Sequence, residues 1–203
     1  MTNQYSSINI HDLLDSKSKA YIGEDEIKKI LSGFSCKVNP DVEHFLCHNA
    51  IEFTKKSQSV TYLVLNNETG SLAGYYSIAI KPITVSAHKL SRTSRKKIER
   101  ISVLDEGSQS YTLSAYLIAQ LGKNYALRKE HQIPGKELLA YAYEQILEGK
   151  HSFGGVLAFL ECDNKEFLIK FYKDTGHTLF NERKTKCDKD GNTHLLYQFM
   201  KFL

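Results

Sequence analysis

The sequence predicts a mixed α/β fold with one central sheet and flanking helices. Segments typical of strands alternate with amphipathic segments at helical spacing, in the order α, β, α, β, β, loop, β, α, β, α, β, β. Two β-hairpins, at 59–83 and 177–202, flank one strand–loop–helix–strand crossover over 111–161. The chain has no internal repeat and no linker-like tract, so we expect a single domain over residues 1–203.

The composition is that of a soluble globular protein, with 41% hydrophobic and 25% charged residues. No apolar run reaches the ~18 residues of a membrane-spanning helix, and the polar start MTNQYSSINIHDLL does not resemble a signal peptide. We therefore expect a cytoplasmic protein with no membrane partner. The four cysteines are Cys36, Cys47, Cys162 and Cys187. No two of them have the C-x-x-C spacing, so we expect reduced thiols and no metal site.

Residues 1–33 are predicted to form an N-terminal helical extension. Gly23 precedes the acidic start of one of its helices, and Gly33 is placed to end that helix. The sequence FSCKV at 34–38 is expected to form a short strand.

The next helix is predicted to run to about Ser57. Asn39 is its expected N-cap, and Pro40 favours the first helical position. The hairpin 59–83 follows, and Pro82 is expected to end its second strand because proline cannot donate to the hydrogen-bond ladder.

Residues 84–110 form a polar, basic insertion between two predicted strands. The segment 88–100 holds six lysines and arginines against one glutamate, and Thr93 to Arg100 is predicted to form a short exposed helix. Such an insertion is either a solvated surface loop or a flap that contacts substrate or RNA. Clustered cations favour the RNA contact because they neutralise phosphates.

The centre of the chain is predicted to be a buried strand at 111–121, a basic polar loop, and a helix at 135–148. Gly135 begins this helix and Gly149 is expected to end it. The first amides of a helix lack intrahelical partners, and the helix dipole is positive at that end. This stretch is therefore a candidate cradle for a phosphate-bearing cofactor.

Four further elements are predicted after the central helix. They are a buried strand at 154–161, a short helix at 165–175 capped by Asp163 and Asn164, and a final pair of strands at 177–182 and 193–202 around a turn at 188–191.

Four stretches in this order carry a family resemblance. They are the hairpin ending GYYSIAIKPI, then QLGKN, then HQIPGKELL, and ECDNKEFLIKFYKDTGHT. On these motifs, residues 33–203 resemble the GNAT superfamily of acyl-CoA N-acyltransferases. The resemblance implies a mixed, mostly antiparallel sheet whose fourth and fifth strands splay apart. The sequence is most similar to bacterial members of the superfamily that carry a basic segment between the third and fourth strands. Some toxin acetyltransferases share this layout.

The phosphate loop departs from the family pattern Q/R-x-x-G-x-G/A. With Gly135 matched to the last glycine, Glu130 stands at the Gln/Arg position and Ile133 at the first glycine. His177 occupies the position of the family's aromatic residue, and Asn164 lies one residue from the usual asparagine. The register of the loop stays open.

The resemblance implies acetyl-CoA as cosubstrate. The residues implied to bind its pantetheine arm and pyrophosphate are Gln120, Leu121, Gly122, Lys123, Arg128, Gln132, Ile133, Gly135, Lys136 and Asn164.

Tyr172 resembles the family tyrosine that protonates the departing CoA sulfur. A phenol is protonated at neutral pH and can donate its proton. The alternative is that Tyr172 packs in its helix. Glu161, at the end of a strand near the expected entry of the amine, is the first candidate for general base. His131 and His177 are alternatives by residue type, and water is another.

The implied function is transfer of an acetyl group from acetyl-CoA to a primary amine. The acceptor stays open between a small molecule, a protein and an aminoacyl-tRNA, with a possible RNA contact through 88–100 and a possible homodimer. One alternative is a toxin that acetylates aminoacyl-tRNA. Another is a catalytically silent module that binds acyl-CoA or RNA, which the degenerate loop would permit.

Overall fold

The computed structural model describes residues 4–185 and 193–203. Its strands are β1 (Tyr5–Asn9), β2 (Val60–Asn66), β3 (Leu72–Ser86), β4 (Ser110–Lys123), β5 (Leu157–Asp163), β6 (Thr178–Lys184) and β7 (Leu195–Phe202). They form one seven-stranded sheet in the order β1-β2-β3-β4-β5-β7-β6. Because only β4 and β5 run parallel, the predicted mixed, mostly antiparallel sheet is confirmed. Cys187 and the predicted turn at 188–191 lie outside the described residues.

Helices flank the sheet. They are α1 (Ile10–Leu14), α2 (Glu24–Ser32), α3 (Pro40–His44), α4 (Ala50–Lys55), α5 (Arg92–Ile98), α6 (Gly135–Phe153) and α7 (Glu166–Asp174), with a π-helical turn at Phe45–Asn49 and 3₁₀ turns at Ala87–Lys89 and Lys129–His131. None of the described helices is long and apolar enough to cross a membrane.

The chain divides into two compact units. The first comprises Met1–Ala79 and Ile118–Glu148, and the second comprises Ile80–Leu117 and Gly149–Leu203. Each has its own apolar core. The first core includes Ile27, Leu31, Leu46, Leu63 and Tyr75, and the second includes Val85, Ile98, Tyr111, Phe159 and Phe180.

The N-terminal segment is not wholly helical, so that prediction is wrong for Tyr5–Asn9. This segment is a strand that pairs antiparallel with β2, with Tyr5 opposite Asn66. Tyr5 is buried, and pairing satisfies the backbone groups that its burial removes from water. Gly23 and Gly33 flank α2 as predicted.

Residues 34–38 do not form the predicted strand. The amide of Ser35 donates to the side chain of Asn124 at 3.0 Å, and the amide of Cys36 donates to the carboxylate of Glu43. Because side chains satisfy these donors, the segment needs no strand partner.

The predicted hairpin is confirmed, but Pro82 does not end β3. The pairing of β2 with β3 stops at Ile78, so Pro82 lies where β3 has passed the end of β2. A missing N–H is tolerated at such an edge position.

Gly149 does not end the central helix, which continues to Phe153. A Cβ at Gly149 would lie 3.2 Å from the ring of Tyr116, so this glycine permits close packing instead. The chain turns at Gly154 and Gly155, whose φ values are 78° and 104°, and β5 therefore starts only at Leu157.

Helix α7 begins without the predicted Asp163–Asn164 cap. Its N-cap is Lys165, whose amide donates to the Asp163 carbonyl at 2.7 Å, and Asn164 is exposed. The two final strands are confirmed as β6 and β7, which pair antiparallel.

Candidate functional site

In the first unit, Asn124 fixes the end of β4. Its Oδ1 accepts from the amides of Ser35 and Ala126, each at 3.0 Å. Its Nδ2 donates to the carbonyls of Gly33 at 3.1 Å and Leu72 at 2.8 Å. The buried side chain thus uses all of its ordinary hydrogen-bonding positions. Asn124 is the last residue of the QLGKN motif, and the motif alone indicates no role for its side chain.

The predicted pantetheine-binding stretch lies at this end of β4. Gly122 is buried, and a Cβ there would lie 2.5 Å from Val42 and 2.7 Å from the ring of Tyr75. Glycine is therefore required by packing within the first unit. Gln120 and Leu121 are half-buried, and the ammonium of Lys123 lies 5.3 Å from the centre of the Tyr125 ring.

The predicted phosphate loop continues the chain from this point. Arg128 is exposed, whereas the side-chain amide of Gln132 donates to the Leu127 carbonyl at 3.0 Å and braces the loop. The side chain of Ile133 is fully buried, so only its backbone is available to a ligand. His131 is half-buried in the 3₁₀ turn.

Helix α6 begins directly after this loop. The amides of Glu137 and Leu138 both donate to the Pro134 carbonyl at 3.0 Å. Within the described ranges, no hydrogen bond occupies the amides of Gly135 and Lys136. Two unpaired amides at the positive end of a helix of 19 residues suit an anionic group.

In the second unit, Tyr172 is buried on α7. Its ring centroid lies 5.1 Å from that of Phe171, 5.6 Å from that of His177 and 5.7 Å from that of Phe199. Burial raises the pKa of Tyr172, so the phenol is protonated at neutral pH. Its hydroxyl makes no hydrogen bond in the part of the chain that the structure describes, so its proton is not committed there.

His177 is poorly suited to act as a base. Burial, together with the charge of Lys201, lowers the pKa of His177 to about 4. Its Nδ1 lies 3.0 Å from the hydroxyl of Thr175 and 3.2 Å from the carbonyl of Tyr172. The neutral ring therefore braces the end of α7.

Glu161 on β5 is clamped by two neighbours. Arg183 donates to both carboxylate oxygens, through Nε at 2.6 Å to Oε1 and through Nη2 to Oε2. Gln198 donates to Oε1 at 2.7 Å. Burial alone would raise the pKa of Glu161, but these hydrogen bonds outweigh burial and lower it. The carboxylate is therefore ionised and a weak base.

A cavity of about 430 Å³ lies in the second unit beside this carboxylate. Its apolar walls are formed by Pro82, Ile83, Leu117, Phe159 and Phe180, and its polar lining includes Lys81, Thr84, Glu161, Asn181, Arg183 and Gln198.

Helix α5 confirms the short helix predicted in the basic insertion. Arg95 donates at 3.0 Å to both Glu99 and the hydroxyl of Tyr111, so its charge is neutralised on the protein. Arg92, Lys96 and Arg100 are exposed, and none has an ion-pair partner among the residues described. The helix therefore presents positive charge to solvent.

Comparisons place the fold among known proteins. No family model matches the sequence, and no curated protein matches it. AtaT complexed with acetyl-methionyl-tRNAfMet superposes with a TM-score of 0.62 at 16% identity, covering 94% of this chain and 93% of that one. A Tyr-to-Phe variant of KacT gives 0.61 at 16% identity, with 96% and 95% covered. AtaTR bound with AcCoA gives 0.56 at 13% identity, with 97% and 94% covered.

Proposed function

We propose that this chain, which has the fold of the GNAT-type toxin acetyltransferases AtaT and KacT, transfers an acetyl group from acetyl-CoA to a primary amine, and that the amine is that of an aminoacyl-tRNA. The observation that carries the proposal is the likeness, over 94% of the chain, to an AtaT structure that contains acetyl-methionyl-tRNAfMet. A fold alone does not fix a function, so the residues must also suit the chemistry.

The first unit offers groups that suit the anionic part of acetyl-CoA. The unpaired amides of Gly135 and Lys136 favour a phosphate, and the exposed cations of Arg128 and Lys136 add charge. The bound cosubstrate supplies a thioester-activated acetyl group. The remaining loop and strand residues implied by the family resemblance stay part of this proposal.

In the proposed reaction, the neutral amine attacks the thioester carbon, and a new C–N bond replaces the C–S bond. The amine loses one proton to water, and the departing thiolate gains one. Tyr172 is the proposed donor to the sulfur, because its hydroxyl is protonated and uncommitted within the described chain. Its raised pKa makes it a weak acid, so hydrogen bonding to the developing thiolate is its main contribution.

The basic helix α5 favours RNA as part of the acceptor. Exposed Arg92 and Lys96 of this helix, and Arg100 just after it, provide charges that neutralise phosphates. A homodimer stays a prediction.

Calorimetric titration with acetyl-CoA tests the cosubstrate. Wild type should bind, and Gly135→Asp should bind at least about tenfold more weakly, because a carboxylate at the helix N-terminus repels phosphate. Gly70→Asp is the control, since it adds the same charge to the first unit at a turn position where a Cβ meets nothing within 4 Å. The φ of Gly70 is 67°, a left-handed conformation that aspartate adopts more readily than most residues, and thermal unfolding checks that the variant stays folded. Equal weakening in both variants would show that acetyl-CoA does not bind at this loop. Absence of acetyl-CoA binding by wild type would refute the proposed function.

A catalytically silent module is the second candidate, because only one glycine of the family loop remains. Release of the CoA thiol on adding aminoacyl-tRNA separates the two. Tight acetyl-CoA binding without any release would favour the silent module.

A further inference from the structure

The sheet register places three polar side chains in a row within the second unit. Gln198 on β7 lies directly opposite Glu161 on β5 and directly opposite Asn181 on β6. Residues directly opposite one another in antiparallel strands project from the same face. The row therefore crosses three strands on one face of the sheet.

A continuous hydrogen-bond chain connects this row to the basic insertion. Lys89 Nζ donates to Asn181 Oδ1 at 3.0 Å, Asn181 Nδ2 donates to Gln198 Oε1 at 2.9 Å, and Gln198 Nε2 donates to Glu161 Oε1 at 2.7 Å. An ammonium only donates and a carboxylate only accepts, so the two ends of the chain fix the orientation of both amides. The carboxylate is thus held in one position.

A β-bulge in β6 directs this row towards the cavity. The register shifts between Leu179 and Asn181, so Phe180 and Asn181 both line the cavity although they are consecutive. In a regular strand they would face opposite sides. Bulges commonly re-aim side chains next to functional sites.

The cavity has the size of a small-ligand site, since its volume of about 430 Å³ falls in the usual range for ligand pockets. Its lining combines apolar residues, among them Phe159 and Phe180, with a similar number of polar ones, among them Glu161. Glu161 receives three hydrogen bonds from Arg183 and Gln198. A carboxylate accepts about four, and 22% of the Glu161 side chain is exposed. One acceptor position therefore remains for a ligand.

We propose that this cavity binds the acceptor amine, which donates an N–H to Glu161 while an uncharged, apolar substituent packs against Phe159 and Phe180. This inference rests on the proposed acetyl transfer and names the acceptor class. A charged substituent would lose its hydration against the apolar walls. Glu161 then orients the nitrogen without having to take its proton, and Gln198 and Asn181 are positioning residues for Glu161.

The test measures acetyl transfer to one tRNA charged in turn with leucine, lysine or aspartate, so that only the aminoacyl group changes. Wild type should prefer the leucyl form. Gln198→Leu and Glu161→Gln should raise the acceptor KM about tenfold or more and leave the acetyl-CoA KM unchanged. Glu182→Gln is the matched control, because this exposed carboxylate lies on β6 one residue from Asn181 and on the opposite face.

If both variants keep the acceptor KM and the acceptor preference of wild type, the proposal that this cavity binds the acceptor is refuted. The proposal of acetyl transfer would still stand. Calorimetry with acetyl-CoA on the same variants shows whether the cosubstrate site is preserved. If wild type transfers no acetyl group, NMR titration with leucine amide still tests the cavity. Saturable shifts that Glu161→Gln abolishes would support it, and their absence from wild type would refute it.

Discussion

The two units offer ligands different kinds of groups. In the first unit, the polar side chain of Asn124 is fully used inside the protein. The groups offered to a ligand are the backbone amides of Gly135 and Lys136, together with the exposed cations of Arg128 and Lys136. In the second unit, the polar side chains themselves face a cavity, and the Glu161 carboxylate retains an acceptor position. Backbone amides tolerate changes in side chain, whereas a side-chain network requires particular residues.

This difference is consistent with the departures of the predicted phosphate loop from the pattern of the family that it resembles. With Gly135 matched to the last glycine of that pattern, Ile133 stands at the first glycine, and the Ile133 side chain is fully buried. The helix start that follows still has unpaired amides, because they arise from helix geometry. We therefore expect substitutions in the second unit to affect catalysis more sharply than most substitutions in the loop.

The largest effect is expected for Tyr172→Phe, which removes only the hydroxyl. Turnover should fall by about 10²–10⁴-fold, with the acetyl-CoA Kd unchanged, because proton or hydrogen-bond donation acts on the departing sulfur. Steady-state kinetics and calorimetry measure the two effects, and exposed Tyr21→Phe is the control. If expression of wild type arrests growth, this variant should relieve it. Wild-type turnover in Tyr172→Phe would show that the tyrosine only packs.

The pH dependence of stability tests whether His177 is structural. Its pKa is lowered to about 4 in the fold, against about 6.5 when unfolded, so the unfolded state gains a proton first as pH falls. The contribution of neutral His177 to the free energy of unfolding is fully present above pH ~6.5. It falls by about 3 kcal/mol as the pH drops to ~4. Denaturant unfolding at several pH values measures the loss. His177→Gln should reduce this slope, and an unchanged slope would mean that His177 is not the responsible group.

Gly122→Ala tests whether β4 of the first unit is packed as tightly as described. The added Cβ would lie 2.5 Å from Val42, and overpacking of this kind destabilises a protein by about 1–3 kcal/mol. Gly33→Ala is the control, since its Cβ would meet a carbonyl at an ordinary 3.5 Å. Thermal unfolding of both variants decides the point. Equal melting temperatures would indicate that β4 has room for a side chain.

The smallest effect is expected for Lys96→Ala in α5. Loss of one phosphate contact should weaken tRNA binding modestly and reduce the slope of log K against log salt by about 1. Lys29→Ala, an exposed lysine of the first unit that pairs with Glu26, should leave the slope unchanged. Equal slopes for wild type and Lys96→Ala would exclude this lysine from the RNA contact.

Local chemistry accounts for the elements that sequence analysis predicted correctly. Pro40 begins a helix, the run of cations contains a short helix, and β2 and β3 form a hairpin around a polar turn. These preferences act within a few residues. The element order was therefore sufficient to identify the fold. Gly135 at the start of α6 was found in the same way.

Long-range contacts decided the rest. Pro82 lies within β3 because the pairing with β2 stops before Pro82. Gly149 lies within a helix because the Tyr116 ring packs against it. Residues 34–38 are irregular because Asn124 accepts a hydrogen bond from their backbone. Glu161 was a candidate base by its place in the sequence. Only the tertiary structure brought Gln198, 37 residues away, to the Glu161 carboxylate, and the proposed binding role of Glu161 rests on that contact. Sequence patterns report spacing along the chain, whereas the site depends on register between strands.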